Sequence, residues 1–304
     1  MPVTAFIFSG QGAQHPGMGL NFAKSDSVIS GIFDRAEAAR PGTLAQLSAE
    51  DPEILKQTEN TQPCLYLADL AAALYMKKLG VSPVCAAGFS LGEIPALAFA
   101  GAFTFDEGFR IVTERGRLMG REAKKHDAGM AAVVKLSNET VEEICARHKL
   151  YPVNYNSPGQ LVVSGEKADL AAANEDFRAA GGRVMPLNVS GAFHSPFMSA
   201  AAADFNEFLK SAETVLPEIP VYANLTARPY DAAPALSLAA QIDHPVRWEE
   251  TVRSMAEKGV DTFIETGVGT VLSKLVAKIV PGAKVFSVET PEQAEAAAKE
   301  VLAC

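Results

Sequence analysis

Short apolar runs alternate with longer stretches of helical spacing along most of this chain, the pattern of a parallel sheet with helices packed on it. Thr4-Ala5-Phe6-Ile7-Phe8 reads as a first strand, and Ser9-Gly10-Gln11-Gly12 as a tight loop leaving its C-terminal end. Helical spacing covers residues 59–78. A second strand is predicted at Val84-Cys85-Ala86-Ala87, after the breakers Gly80 and Pro83, and its continuous apolar character suits a strand covered on both faces. Residues 93–100 follow as a helix that Pro95 is expected to bend, and another begins near Thr104, where Thr104 and Glu107 form a capping box.

Between about 127 and 193 the rhythm changes. Residues 130–136, 152–156, 161–164 and 183–188 read as strands, and 139–148 and 167–180 as helices. That order, βαββαβ, is the ferredoxin-like unit. The α/β pattern then resumes with a helix near 196–212, which Ser195 can cap, a strand near 220–224 and a helix after Pro245. A strand at 262–265, the loop Gly267-Val268-Gly269, a helix from Thr270 and a helical alanine-rich tail from Gln293 complete it. The fold class expected is α/β: an α/β-hydrolase-like large domain with a parallel sheet, formed by residues 1–126 and 194–304, carrying an inserted ferredoxin-like small domain at 127–193.

Composition narrows the function. The 304 residues are 48% hydrophobic and hold 27 Lys and Arg against 36 Asp and Glu, a formal charge of -9. Phosphate binding needs a basic face, so a nucleic-acid partner is not expected. Neither a secretory leader nor a membrane span is visible, and a cytoplasmic location and no membrane partner are expected. Cys64, Cys85, Cys145 and Cys304 lack metal-ligand spacing and read as reduced packing residues. His15 stands where a G-x-G-x-x-G fingerprint needs its third glycine, and no P-loop lysine follows. Neither a cofactor nor a metal is expected.

Gly88-Phe89-Ser90-Leu91-Gly92, at the turn from strand to helix, has the form of a nucleophile elbow. The pentapeptide alone is weak evidence; its strand and helix flanks strengthen it. On the helix after Thr104, Arg115 is surrounded at helical spacing by Ile111, Val112, Leu118 and Met119, so a guanidinium that cannot shed its proton sits in the buried stripe. It can serve as an internal salt bridge or, 25 residues beyond the serine, as a clamp for an acyl group ending in a carboxylate. A serine nucleophile needs a base. His126 and His148 read as surface residues and His15 as a wall of the cleft. His194 and His244 remain, and the domain junction favours His194.

Several segments together now point to one family. Phe8-Ser9-Gly10-Gln11-Gly12-Ala13-Gln14, Thr61-Gln62-Pro63, the elbow with Glu93, Arg115-Gly116-Arg117-Leu118-Met119, Asn156-Ser157-Pro158-Gly159-Gln160, Gly191-Ala192-Phe193-His194-Ser195 and Pro245-Val246-Arg247-Trp248 resemble malonyl-CoA:acyl carrier protein transacylases, in order and over nearly the whole chain. The resemblance implies ping-pong transfer of malonyl from malonyl-CoA, through an ester on Ser90, to the phosphopantetheine thiol of acyl carrier protein in fatty-acid synthesis. His194 would be the base, oriented by the Gln241 backbone carbonyl, and the N–H groups of Gln11 and Leu91 would form the oxyanion hole. Arg115 would bind the malonyl carboxylate, with Phe193, Phe89, Gln62 and Asn156 also at the substrate. Phe89 replaces the family's usual histidine and Val268 a common proline, so Phe89 removes a polar wall from the acyl pocket.

Three rivals stand beside this. A serine hydrolase or thioesterase of α/β-hydrolase type would need an acid behind its histidine; Asp243 and His244 are adjacent, and adjacent residues seldom face each other in the geometry required. A trans-acting acyltransferase of a polyketide synthase would share the chemistry and differ in its carrier. A degenerate domain would only dock a carrier. The carrier is acidic, so docking calls for a basic patch, with Lys124, Lys125 and Arg183 as candidates. A monomer is expected.

Overall fold

The computed structural model describes residues 2–189 and 191–303, which leaves Cys304 outside the described residues. The strands in chain order are β1 (Thr4–Phe8), β2 (Cys85–Gly88), β3 (Ala128–Val134), β4 (Tyr151–Ser157), β5 (Gln160–Glu166), β6 (Arg183–Pro186), β7 (Val221–Tyr222), β8 (Thr262–Thr266) and β9 (Lys284–Val288). They form two sheets, ordered β7-β2-β1-β8-β9 and β4-β5-β3-β6. Every pairing in the first is parallel and every one in the second antiparallel. The second order is that of a ferredoxin-like unit, with helices Asn138–His148 and Lys167–Ala179 between its strands. The fold is therefore the α/β class expected. A bridge between Asn154 of β4 and Val246 ties the two parts together.

Strand β1 is wholly buried between two layers of side chains, and its neighbour β2 likewise, which is why both read as unbroken apolar runs. Strand β2 begins one residue later than predicted, because Val84 is half-exposed. The helices among residues 20–56, helix Ala235–Gln241 and strand β9 are additions to the predicted pattern. Strand β9 is half-exposed at an edge and mixes Lys284 and Ser287 with apolar residues, so it gives no clear period.

The first layer against the sheet is the helix Thr58–Lys78, buried nearly all round. Pro63 lies inside it and cannot donate to the Glu59 carbonyl one turn back. Arg40 supplies that donor instead, at 3.3 Å. Helix Phe105–Ala123 packs across it at Gly116, where a Cβ would come within 3.1 Å of the Thr58 carbonyl oxygen and 3.3 Å of the Gln62 Cβ. The bare glycine brings the two backbones close enough for Arg115 to reach Gln62. The capping box is half made: the Thr104 hydroxyl accepts the Glu107 N–H at 3.2 Å, while the Glu107 carboxylate turns to Arg110. Pro95 falls in the first turn of helix Glu93–Phe99, where N–H groups have no helical acceptor to lose. Ser195 holds the cap position before Pro196, but its hydroxyl donates back to the Ala192 carbonyl at 2.6 Å instead of capping.

Candidate active site

Strand β2 ends in a turn too tight for side chains on its flanks. A Cβ on Gly92 would lie 2.3 Å from the Phe8 carbonyl oxygen, and one on Gly88 would lie 1.9 Å from the Gly92 carbonyl carbon. Ser90 between them has φ 52°, left-handed and strained for a residue with a side chain. Asn224, just past β7, holds the turn open. Its Oδ1 accepts the Ser90 N–H at 2.6 Å and its Nδ2 donates to the Gly88 carbonyl at 2.6 Å.

His194 also has a left-handed φ, 59°. Its backbone N–H donates to the Ile242 carbonyl at 3.2 Å. The ring Nδ1 lies 2.9 Å from the Gln241 backbone carbonyl, which can only accept, so Nδ1 carries the proton. The bare Nε2 then faces the Ser90 Oγ at 2.7 Å. Burial, reinforced by the Arg115 charge, lowers the imidazole pKa to about 4. At neutral pH it is an unprotonated base aimed at a hydroxyl. Among the described residues the group bonded to Nδ1 is a backbone carbonyl and not a carboxylate, which removes the ground for an α/β-hydrolase triad.

Arg115 is buried and still a cation, although burial lowers its pKa to about 10. Its Nη1 donates to Gln62 Oε1 at 2.9 Å, and its Nη2 donates to Gln241 Oε1 at 2.7 Å and to the Ser90 Oγ at 3.2 Å. The Gln241 amide passes the contact on, its Nε2 donating to Glu93 Oε2 at 2.5 Å and to the Ser90 carbonyl at 2.9 Å. Glu93 also accepts from the Tyr230 hydroxyl and from the Asn224 N–H, and burial raises its pKa to about 7. Arg115 thus meets neutral acceptors directly and its counter-charge only through an amide. A guanidinium so placed keeps capacity for an incoming anion.

Gln62 is fully buried behind Arg115, and it also donates to Gln11 Oε1 at 3.3 Å. It orients the guanidinium and the Gln11 loop rather than facing the open cleft. Leu91 follows Ser90 and is buried. Phe193 is buried beside His194. Phe89 packs edge-on against Trp248, ring centroids 5.5 Å apart, and lines a cavity of about 220 Å³ between the two sheets with Gln11, Asn154 and Asn156. The Oδ1 atoms of Asn154 and Asn156 are buried without a partner. Among groups outside the predicted set, Asn224, Tyr230 and the carboxylate of Glu93 complete the network. A buried polar residue just past the C-terminal end of a parallel strand was the available signal for Asn224.

The other histidines lie elsewhere. His15 is half-exposed and contacts Glu289, at the wall of a neighbouring cavity that Gln11 also lines. His126 lies beside Glu122, and His148 meets Asp176 at 2.9 Å. His244 and Asp243 do face each other, at 2.7 Å, contrary to expectation, because the ring folds back over its own turn to the Ala240 carbonyl. The pair lies near His194, whose ring feels the His244 backbone and the Asp243 charge, both raising its pKa against the larger effect of burial. Lys124 and Lys125 are engaged by Glu59 and Glu122 at 2.9 and 2.8 Å, whereas Arg183 is exposed on β6. Cys64, Cys85 and Cys145 are buried and unbridged, and burial pushes each thiol up to about 12.

A strained serine paired with a neutral imidazole at the head of a parallel α/β sheet is an arrangement suited to the class of acyl-transferring enzymes. Comparison with known proteins narrows it. The family model described as the acyl transferase domain matches residues 5–290. The polyketide biosynthesis malonyl CoA-acyl carrier protein transacylase BaeC of Bacillus velezensis is 39% identical over 284 residues, covering 90% of this chain and 96% of BaeC. The polyketide biosynthesis protein ThaF of Burkholderia thailandensis is 40% identical over 287 residues, 91% of this chain but only 24% of ThaF. The solved malonyl CoA-acyl carrier protein transacylase of Clostridium perfringens superposes with TM-score 0.93 at 35% identity, covering 99% of this chain and 97% of that one. The chain belongs to the malonyl-CoA:acyl carrier protein transacylase family and is an acyltransferase.

Proposed function

We propose that this chain transfers malonyl from malonyl-CoA to the phosphopantetheine thiol of an acyl carrier protein, by a ping-pong route through a malonyl ester on Ser90. The observation that carries it is Arg115: a buried guanidinium 3.2 Å from the Ser90 Oγ, bonded to neutral acceptors, suits an acyl group that brings a negative charge. In the first half, the Ser90 Oγ attacks the thioester carbonyl while His194 Nε2 takes its proton. The C–S bond breaks, and the thiolate of CoA recovers that proton from His194. In the second half the carrier thiol gives its proton to His194 and attacks the ester, and the proton returns to Ser90. The N–H groups of Gln11 and Leu91 are the proposed donors to the oxyanion of both tetrahedral intermediates, each worth roughly 10²- to 10³-fold. Asn154 and Asn156, with unpartnered oxygens on the neighbouring cavity wall, suit the amide-bearing arm of either thioester.

A fatty-acid carrier is the first reading. The polyketide names of BaeC and ThaF favour a second, a trans-acting acyltransferase of polyketide synthesis. Transfer rates to one carrier of each kind separate the two. A monomer in the cytoplasm is part of the proposal. The chemistry is tested by mass spectrometry after brief exposure to malonyl-CoA, methylmalonyl-CoA and acetyl-CoA. A malonyl adduct confined to Ser90, absent in Ser90→Ala and weakened by Arg115→Ala more than any acetyl adduct, is expected. No adduct with any thioester would overturn the mechanism.

A further inference from the structure

One buried acid has no part in the network around Arg115. Asp69 lies on helix Thr58–Lys78, fully buried, and reaches the end of the parallel sheet where the loops after β1 and β8 leave it. Its Oδ1 accepts the Ser9 hydroxyl at 2.7 Å, and its Oδ2 is buried without a partner. The same Ser9 Oγ accepts the Val268 N–H at 3.4 Å. Gly267 presses on the acid so closely that a Cβ there would lie 1.7 Å from Oδ1. Helix, first loop and last loop therefore meet at one hydroxyl. Burial, with Glu265 nearby, holds the Asp69 carboxyl well above the usual carboxylate range. Glu265 is committed elsewhere, accepting the Leu272 and Ser273 N–H groups at 3.0 and 2.8 Å.

A buried polar side chain with a single bond is a poor way to stabilise a core, since an apolar residue of similar volume fills the space at less cost. What this bond holds in place is the loop Ser9-Gly10-Gln11. Gly10 lies directly on the elbow, where a Cβ would come 2.8 Å from the Phe89 carbonyl oxygen. We propose that Asp69 is a positioning residue for acyl transfer: by anchoring the Ser9 hydroxyl between helix and last loop, it sets the distance from the Gln11 N–H to the oxyanion. The inference rests on the proposed acyl-transfer reading and deepens it.

The test compares Asp69→Asn, Asp69→Leu and Ser9→Ala with the parent chain. Asparagine keeps an acceptor and leucine keeps the volume. Ser9→Ala removes the other end of the bond by one atom, should the leucine variant fail to fold. Rapid-quench acylation by malonyl-CoA is expected to slow roughly 10- to 100-fold in Asp69→Leu and Ser9→Ala, with KM within about threefold, because sub-ångström misplacement of a donor acts on the transition state. Asp69→Asn should stay within about threefold of the parent. Affinity for a trifluoromethyl ketone analogue of the thioester, which forms a tetrahedral adduct on Ser90, should fall in parallel, while affinity for CoA should not. Parent-like acylation by folded Ser9→Ala, or Asp69→Asn as slow as Asp69→Leu, would overturn the inference. Failure of the parent chain itself to form the Ser90 adduct would instead overturn the acyl-transfer reading.

Discussion

Burial and the Arg115 charge are the largest influences on His194 and favour the neutral ring, outweighing the Gln241 and His244 backbone bonds and the Asp243 charge that oppose them. The ring pKa of about 4 in the fold lies below the ordinary value of 6.5. In the proposed mechanism acylation of Ser90 needs the bare Nε2, so its rate should be flat through neutral pH and fall as pH drops through about 4. Removing the cation in Arg115→Ala should move that acid limb upward, which rapid-quench acylation across pH would show. The stability sign follows from the same shift. Between pH 6.5 and about 4 the unfolded chain binds a proton that the folded one refuses, so stability falls across that window on acidification. Glu93 runs the other way: raised to about 7, it contributes stability that is complete at low pH and declines as pH rises toward 7. At this scale Ser90 and Arg115 stood out in the sequence as anomalies of local pattern, whereas His194 was favoured over His244 only by its place at the domain junction. Asn224, Tyr230 and Asp69 did not stand out, since a polar residue among apolar neighbours does not say which distant group it meets.

The elements hold the site through close backbone approach. Arg115 reaches Gln62 because Gly116 lets helix Phe105–Ala123 settle on helix Thr58–Lys78. Gly116→Val would press on the Thr58 carbonyl and the Gln62 side chain, and overpacking of this kind costs about 1–3 kcal/mol. The expected result is a lower urea midpoint and a KM for malonyl-CoA raised more than that for acetyl-CoA, since the guanidinium moves with its helix. Element positions were largely readable where one period dominated. Strand β1 was predicted to the residue, and all four small-domain strands were located. Strand β9 escaped because a half-exposed edge strand carries a mixed pattern. Cap chemistry was less readable: Thr104 does cap its helix, whereas Ser195 finds a nearer carbonyl.

On the scale of the molecule, an acidic chain of net charge -9 meeting an acidic carrier needs a local reversal of sign. Reversing the charges of Lys124, Lys125 and Arg183 together should raise the KM for carrier protein and weaken its salt dependence, leaving Ser90 acylation by malonyl-CoA unchanged. Equal loss in both half-reactions would count against the patch. Lys124 makes a surface ion pair worth about 0–1 kcal/mol, whereas Lys125 pairs with the buried Glu122, so its reversal should also lower the urea midpoint. The chain order of apolar runs, glycines and breakers by itself determined the α/β class, the inserted βαββαβ unit and the elbow, because period and backbone freedom are local properties. Only the tertiary structure decided that His194 and not His244 faces Ser90, and that Gln241 serves with both its carbonyl and its amide. It alone brought Asp69 to Ser9, 60 positions away. Those are distances between residues remote along the chain, created when the two sheets and their helices pack, and no local pattern encodes them.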